Sequence, residues 1–581
     1  MSNATPASGN GESILRGFAG APGLAHGPVV LWKAGAPTFA RLEGCKPRLE
    51  RGRLQAARDQ ARTYLKALRA RAETSSGAKD ARIFEAHVLI LDDPALLEKA
   101  DAALSTGRNA EAAWMDAVQH FASLLRNLPD PTLSARAADV LDVGEGVLRI
   151  MMGMGYQSAP ELTDPSVIVA ADLTPSQTAS LDRTQVLAFC CAEGGPTSHT
   201  VILARALELP AVVGLGPSIL RLPEGTPVLV DGSLGCVTAW PTNTSLRAFE
   251  ESRAHMLREA GEAKASAGIP AMTRDGRSVQ VAANIANAED ARRAVDAGAD
   301  AVGLFRTEFL FLGRNEPPGE EEQVGAYREI FEILGNRPIV VRTLDAGGDK
   351  PMGYLDFGRE LNPFLGWRGI RVAHEHPQLL KTQLRALLRA GSGKNLHIML
   401  PMVSNHDEVQ AGRDMLNAIR VELQAAGQSP TSQLEFGIMV EVPATAVRAS
   451  HFAGLVDFFS IGTNDLTQYT LAADRTNARV AGLASAFDPA VLHLIARTIE
   501  AAHEQGRWVG LCGEFASDPS AIPLLLGLGL DEFSMAPASI PQAKSRLRAL
   551  SAADCAPLAR EALLCPTAES VRQLVQKEAP P

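Results

Sequence analysis

From residue 270 onward, eight short strand-like runs recur at 279–286, 301–305, 339–344, 397–402, 436–442, 458–463, 508–512 and 532–535. Helix-forming stretches such as 288–297 and 489–505 separate most of them. Strands alternating with helices eight times over predict a (β/α)8 barrel, with a doubly wound open sheet as the alternative. The polar residues favour the barrel. They recur where the runs end: Arg306-Thr307-Glu308, Arg342-Thr343-Leu344-Asp345, Glu441, Asn464-Asp465 and Cys512-Gly513-Glu514. Catalytic groups of such barrels emerge at the C-terminal ends of the strands, and random surface charge would not keep to that one rim.

Each of these residue types suits a step of phosphoryl transfer. Arg306 and Arg342 are planar, permanently charged forks that grip phosphate and carboxylate bidentately. They sit in apolar runs, where an unpaired charge is costly. Glu441 and Asp465 are hard oxygen ligands from neighbouring strands, suited to Mg²⁺ or Mn²⁺; the alternative is that both cap helices. A metal there bridges substrate oxygens and neutralises charge as a P–O bond loosens. Asn464 is a donor for phosphate, and Arg475 follows on the next loop segment with Asp474. Cys512, between Gly510 and Gly513, is placed as an acid over a substrate carbon; the alternative is a small buried hydrophobe.

A second centre lies upstream. The strand-like run 186–191 leads through Gly194-Gly195-Pro196-Thr197-Ser198-His199-Thr200 into a helix-like run at 201–207. The glycines permit a sharp turn, and Thr197 or Ser198 can cap the helix. His199 therefore falls in the first helical turn, where unpaired N–H groups and the helix dipole stabilise a phosphate carried on its imidazole. The alternative is a capping or packing histidine. Cys190 and Cys191, inside the preceding strand, are read as packing. Further strand-like runs fall at 14–31, 167–175, 228–232 and 236–239. Between 40 and 154 the pattern is of long helices, with Leu49, Leu54, Ala57, Ala61, Leu65 and Leu68 at helical spacing. The polar, Ala/Glu-rich stretch 243–268 predicts a semi-rigid helical linker, and residues 1–13 and 571–581 are expected as tails.

At 581 residues the chain has room for three or four domains. Its net charge of −10 argues against nucleic acid and anionic membranes as partners, so an anionic substrate must meet arginines concentrated locally. The seven cysteines are odd in number and lack metal-ligand spacing, which predicts a reduced, cytoplasmic protein. No run is of spanning length, and no signal peptide is expected.

The motif around His199, continued by Glu208-Leu209-Pro210-Ala211-Val212-Val213-Gly214, resembles the phosphohistidine signature of the PEP-utilising family: Enzyme I of the sugar phosphotransferase system, PEP synthase and pyruvate phosphate dikinase. Pro196 stands where Enzyme I has arginine. Gly303-Leu304-Phe305-Arg306-Thr307-Glu308-Phe309, Asn362-Pro363-Phe364-Leu365-Gly366-Trp367-Arg368, Gly462-Thr463-Asn464-Asp465-Leu466-Thr467-Gln468-Tyr469 and Leu511-Cys512-Gly513-Glu514 are similar to Enzyme I as well. The resemblance implies an α/β multidomain chain with a phosphohistidine domain (14–35 plus 156–240), a helical carrier-docking subdomain (36–155), the linker (241–268) and a PEP-binding barrel (269–570). It implies His199 as the residue phosphorylated by phosphoenolpyruvate, and Thr178 as a hydrogen-bond partner of its ring. Arg306, Arg342, Asn464, Asp465 and Arg475 are implied as PEP-binding, with Arg368 in support. Glu441 and Asp465 are implied as Mg²⁺ ligands, Cys512 as proton donor, an HPr-like phosphocarrier as partner, and a homodimer formed through the barrel. The activity implied is that of a phosphoenolpyruvate–protein phosphotransferase. A synthase or dikinase of the family needs an ATP-grasp domain, for which the segment before His199 is too short and too helical. A catalytically silent docking paralogue would have lost a site residue, and none is lost.

Overall fold

The computed structural model describes residues 11–578 apart from 33–36, 76–77, 128–130, 157–161, 163, 174–176, 178–180, 182–183, 196–197, 208, 349, 351, 359, 429–430, 432, 476 and 478. Two compact units divide the chain, Met1–Met256 and Leu257–Pro581.

In the first unit, strands distant in sequence share one sheet. β1 (Ser13–Arg16), β2 (Phe18–Ala21) and β3 (Leu24–Trp32) join β4 (Ser166–Ala170), β5 (Val186–Cys191), β6 (Ala211–Val213), β7 (Pro227–Asp231) and β8 (Cys236–Ala239) in the order β1-β8-β7-β3-β4-β5-β6-β2. The inner strands β3 to β6 run parallel. Both faces are covered, so β4 is buried at every residue. Val167 and Val169 enter one apolar cluster, Ile168 and Ala170 the other, as a side-chain period of two requires. Cys190 and Cys191 divide between the faces in the same way, which agrees with packing. Ser13, assigned above to a tail, already pairs with Ala239; residues 1–10 lie outside the described residues.

Among the described residues, five helices come between β3 and β4: α1 (Pro47–Ser75), α2 (Ala78–Leu91), α3 (Pro94–Ser105), α4 (Ala110–Arg126) and α5 (Pro131–Met151). Leu54, Ala57, Ala61, Leu65 and Leu68 form the buried stripe of α1. Leu49, expected on that stripe, is exposed. It precedes Leu54 by five positions, which turns it well away from a face spaced at three and four. α3 is started by Asp93, whose carboxylate accepts from the N–H groups of Ala95 and Leu96. After β8 a helix spans Asn243–Ala265.

The second unit is a closed barrel. β10 (Ser278–Ile285), β11 (Ala301–Arg306), β12 (Ile339–Arg342), β13 (Leu396–Leu400), β14 (Leu434–Val440), β15 (Phe458–Ile461), β16 (Trp508–Leu511) and β17 (Glu532–Met535) pair in parallel in sequence order, and β17 returns to β10. A short β9 (Ala271–Met272) pairs antiparallel with β10. The open-sheet alternative is thereby excluded.

Alternation along each strand sorts side chains between two cores. Ile339 and Val341 of β12, Ile438 and Val440 of β14, and Val509 and Leu511 of β16 pack outward against the helices. Val340, Met399, Met439, Phe458 and Cys512 form a separate inner cluster, a filled interior rather than a pore. Residues 571–578, expected as a tail, belong to a helix, Ala568–Glu578, that buries Val571 and Val575. Val571, Leu574 and Val575, at i, i+3 and i+4 in a polar stretch, were the only local signal, and the barrel surface supplied their partner.

Candidate active site

Arg342 occupies an inward position of β12, two residues beyond Val340. It lies opposite Arg306 in register at the end of β11. Neighbouring strands finish level with them: Gly462 N–H donates to Val440 O at 3.1 Å and Cys512 N–H to Ile461 O at 3.0 Å. Glu441, the residue after β14, and Cys512, the residue after β16, thus reach the same rim. Arg306 is exposed and Arg342 buried.

Arg368 comes from the loop after β12 and is 1 % exposed. Its Nε and Nη2 donate to Asp345 at 3.0 and 2.9 Å, and Nη1 and Nη2 donate to the two oxygens of Asp465 at 3.1 Å each. A buried guanidinium is tolerable only with such matched carboxylates, so Arg368 is saturated and fixes Asp465. Arg342 donates from Nη2 to Glu308 at 2.8 Å, and its Nη1 lies 3.4 Å from Asp345. Its buried Nε has no partner. Lys350 Nζ stands 3.3 Å from Asp345 and 3.9 Å from Glu308. Burial alone would raise the Asp345 carboxyl, but Arg342, Lys350 and Arg368 hold it well below the usual carboxylate range.

Glu441 behaves differently. Burial, reinforced by repulsion from Asp465 and Asp345, pushes its carboxyl up to about 7 against the pull of Arg342 and Arg368. One of its oxygens accepts from Met402 N–H at 2.6 Å. Met402 is held at φ 56 to aim that donor, a conformation costing about 1–3 kcal/mol for a residue with a Cβ. In this network four acids (Glu308, Asp345, Glu441 and Asp465) face three bases (Arg342, Lys350 and Arg368). Two hard carboxylates close enough to repel one another, Glu441 and Asp465, fit a divalent cation. Among the described residues no group of three or more His, Cys, Asp or Glu is arranged to hold a metal ion by itself. Mg²⁺ at phosphate-handling sites is held by one or two carboxylates and completed by substrate oxygens and water, so Glu441 and Asp465 meet that requirement.

Cys512 is buried, with Sγ 3.6 Å from Ile461 O, and burial pushes its thiol up to about 11. It is therefore protonated at neutral pH. The next residue has to be glycine, because a Cβ at Gly513 would collide with Thr463 Oγ1. Asn464 Oδ1 accepts from Glu514 N–H at 3.3 Å, which ties the end of β15 to the turn after Cys512. Arg475 and Arg368 both stand 5.9 Å from the ring centre of Phe364, so half-buried Arg475 joins the same rim.

Sequence reading passed over Lys350, Met402 and Asn284. Asn284 carried a usable signal, a polar residue on the inward parity near the end of β10, after the apolar Val281, Ala282 and Ala283. Nothing local distinguished the other two.

In the first unit, the helix His199–Ala206 starts at His199 itself, after Gly194 at φ 93. Val201 and Ala204 anchor it in the sheet core. Thr200 Oγ1 donates to Asp172 Oδ1 at 3.1 Å and so fastens the helix start to the end of β4. The capping role expected of Ser198 is not found: its buried hydroxyl has no partner. Thr197 and Thr178 lie outside the described residues. Among those described, no helix is long and apolar enough to cross a membrane, and all seven cysteines are free.

Comparison with known proteins agrees with this layout. Residues 260–552 match the PEP-binding domain of PEP-utilising enzymes, 162–235 their mobile domain and 16–136 their N-terminal domain. The chain is 41 % identical over 564 residues to a phosphoenolpyruvate-protein phosphotransferase of Listeria innocua, covering 97 % of this chain and 99 % of that one. It is 42 % identical over 567 residues to the protein of that name from Geobacillus stearothermophilus, covering 97 % and 98 %. Against that of Staphylococcus carnosus the identity is 40 % over 565 residues, with the same coverage. A PEP-binding domain matched across the whole barrel, and relatives of one activity matched end to end, lead to one conclusion: the chain belongs to the PEP-utilising enzyme family, among its phosphoenolpyruvate–protein phosphotransferases.

Proposed function

We propose that phosphoenolpyruvate binds at the barrel mouth, phosphorylates His199 and leaves as pyruvate, and that His199 then phosphorylates an HPr-like carrier. The observation that carries this reading is the division of labour among the arginines. Arg368 is saturated by two carboxylates, whereas Arg306 is exposed and Arg342 keeps an unpartnered Nε. Arg306, Arg342 and Arg475 therefore grip the substrate, Asn464 donates to its phosphate, and Arg368 holds Asp465 in place. Glu441 and Asp465 would hold Mg²⁺, or Mn²⁺, which would supply charge neutralisation for phosphoryl transfer.

A nitrogen of neutral His199, oriented by Thr178, forms the new bond to phosphorus as the bond to the enol oxygen breaks. The fragment left behind is the enolate of pyruvate. Cys512 Sγ–H gives its proton to the methylene carbon; the enolate π-electrons form the C–H bond, the oxygen becomes a carbonyl, and the thiolate is reprotonated by water. The carrier docks on the helical subdomain. A cavity of about 350 Å³ there, lined by Leu89, Ile90, Leu96, Phe121, Leu125 and Arg136, supports that assignment. Exposed Leu361 and Leu365 beside a cavity of about 500 Å³ next to the site support pairing of two copies through the barrel. Seven free thiols suit the cytoplasm.

Incubation with phosphoenolpyruvate, Mg²⁺ and a purified histidine carrier should yield pyruvate and phosphocarrier in equal amounts, without ATP or inorganic phosphate. A requirement for ATP would point to a synthase, and no turnover at all to a docking protein. Within this scheme Cys512→Ala should slow pyruvate formation by roughly two orders of magnitude. Phosphate should still pass between phosphohistidine and carrier. As mere packing, the same change would leave turnover near normal with a small loss of stability.

A further inference from the structure

Cys512 lies just past the last paired residue of β16. The ladder between β16 and β17 ends with Leu511 opposite Phe533, so the carbonyl of Cys512 has left the sheet. A side chain takes over from it. Asn284, near the end of β10, donates from Nδ2 to Cys512 O at 3.0 Å and to Ser534 O of β17 at 3.4 Å. Ser534 Oγ–H in turn donates to Asn284 Oδ1 at 2.7 Å. Two carbonyls on one end of the amide and a hydroxyl on the other leave a single chemically sensible orientation, with NH₂ toward the carbonyls.

Asn284 and Ser534 both lie on the inward parity of their strands, opposite the outward-packed Ala283, Ile285, Phe533 and Met535. Cys512 itself is followed by Gly513, which imposes no side-chain restraint of its own on the turn. The only side-chain hydrogen bond that the described residues make to the Cys512 backbone is this one.

We propose that Asn284 is a positioning residue for protonation of the enolate: by holding the Cys512 peptide it directs Sγ–H at one face of the methylene carbon. This rests on the reading of Cys512 as the proton donor. Asn284 supplies neither proton nor charge. A donor displaced by about an ångström forfeits roughly a hundredfold in rate, and a thiol free to swing also loses its preference for one face.

The test uses the full-length protein with phosphoenolpyruvate stereospecifically labelled at its methylene carbon, in isotopically labelled water, and reads pyruvate rate, KM and the chirality of the methyl group. Asn284→Asp keeps size and the acceptor for Ser534 but cannot donate to Cys512. It should lower kcat for pyruvate formation by roughly ten- to a hundredfold, leave KM for phosphoenolpyruvate near that of the parent, and yield pyruvate of mixed chirality. Phosphate exchange between His199 and carrier should be unchanged. Ser534→Ala removes only the hydroxyl that orients the amide and should shift chirality the same way to a smaller degree; it decides the matter if Asn284→Asp does not fold. Single-face protonation retained in the folded variants, whether or not the rate falls, overturns the proposal. Cys512→Ala runs alongside: if that variant also keeps single-face delivery, the acid assignment itself fails, which is distinguishable from Asn284 alone having no effect.

Discussion

His199→Ala takes up no phosphate from radiolabelled phosphoenolpyruvate, whereas the parent protein acquires a label that is acid-labile and stable to base. The expectation follows from where the backbone places this residue. A helix begins at His199, its first N–H groups have no intrahelical acceptors, and the dipole favours a negative charge there by about 0.3–2 kcal/mol. The substitution should leave the fold intact, because Val201, Ala204 and the Thr200–Asp172 hydrogen bond hold the helix to the sheet. Another histidine, His406, also opens a helix. That end is already filled: Asn405 and Glu408 form a capping box, and Asp407 adds a further acid in the first turn. His87 is buried between Asp139 and Asp142, and His397 between Asn395 and Glu435. Labelling of the variant equal to that of the parent would remove His199 from the mechanism.

Glu441→Gln gives the second large effect. A divalent cation contributes several kcal/mol to a phosphoryl transition state, and at about 1.4 kcal/mol per tenfold its loss corresponds to at least roughly a thousandfold in turnover. The variant should retain the fold, since a glutamine oxygen still accepts from Met402 N–H. Once phosphorylated by reversal from phosphocarrier, it should pass phosphate back at the parent rate, because the carboxylate belongs to the barrel and not to the histidine unit. Asp465→Asn should match it in turnover but lower the melting temperature more, because it also halves the charge pairing of buried Arg368. Measured Mg²⁺ dependence of pyruvate formation, beside single-turnover transfer to carrier, separates the two stages. Equal failure at both would mean that the sites are not divided as proposed.

Much of this was legible in the chain before any coordinates. Eight runs with polar residues at one end sufficed for the barrel, because strand alternation and helix spacing are local properties of the backbone. The inward parity of Arg342 with Val340, and of Cys512 with Gly510, could be counted off as well. Even so, local patterns misled in places. Ser198 leaves its hydroxyl unpaired instead of capping, Leu49 falls off the helix stripe, and residues 571–578, read as a tail, form a helix packed on the barrel.

Only the tertiary structure decided which groups meet. Closure of β17 onto β10 brings Asn284 to Cys512 across 228 residues. A loop arginine, Arg368, joins Asp345 to Asp465 across 23 and 97 residues. β3 and β4, separated by five helices, pair side by side. The sequence by itself determined which residue types stand at the ends of the strands and at the start of the histidine helix, since those depend on periods of two and 3.6 along one segment. Saturation of Arg368, the spare donor of Arg342 and the raised carboxyl of Glu441 depend on burial and on charges brought in by other segments, and folding alone assembles them.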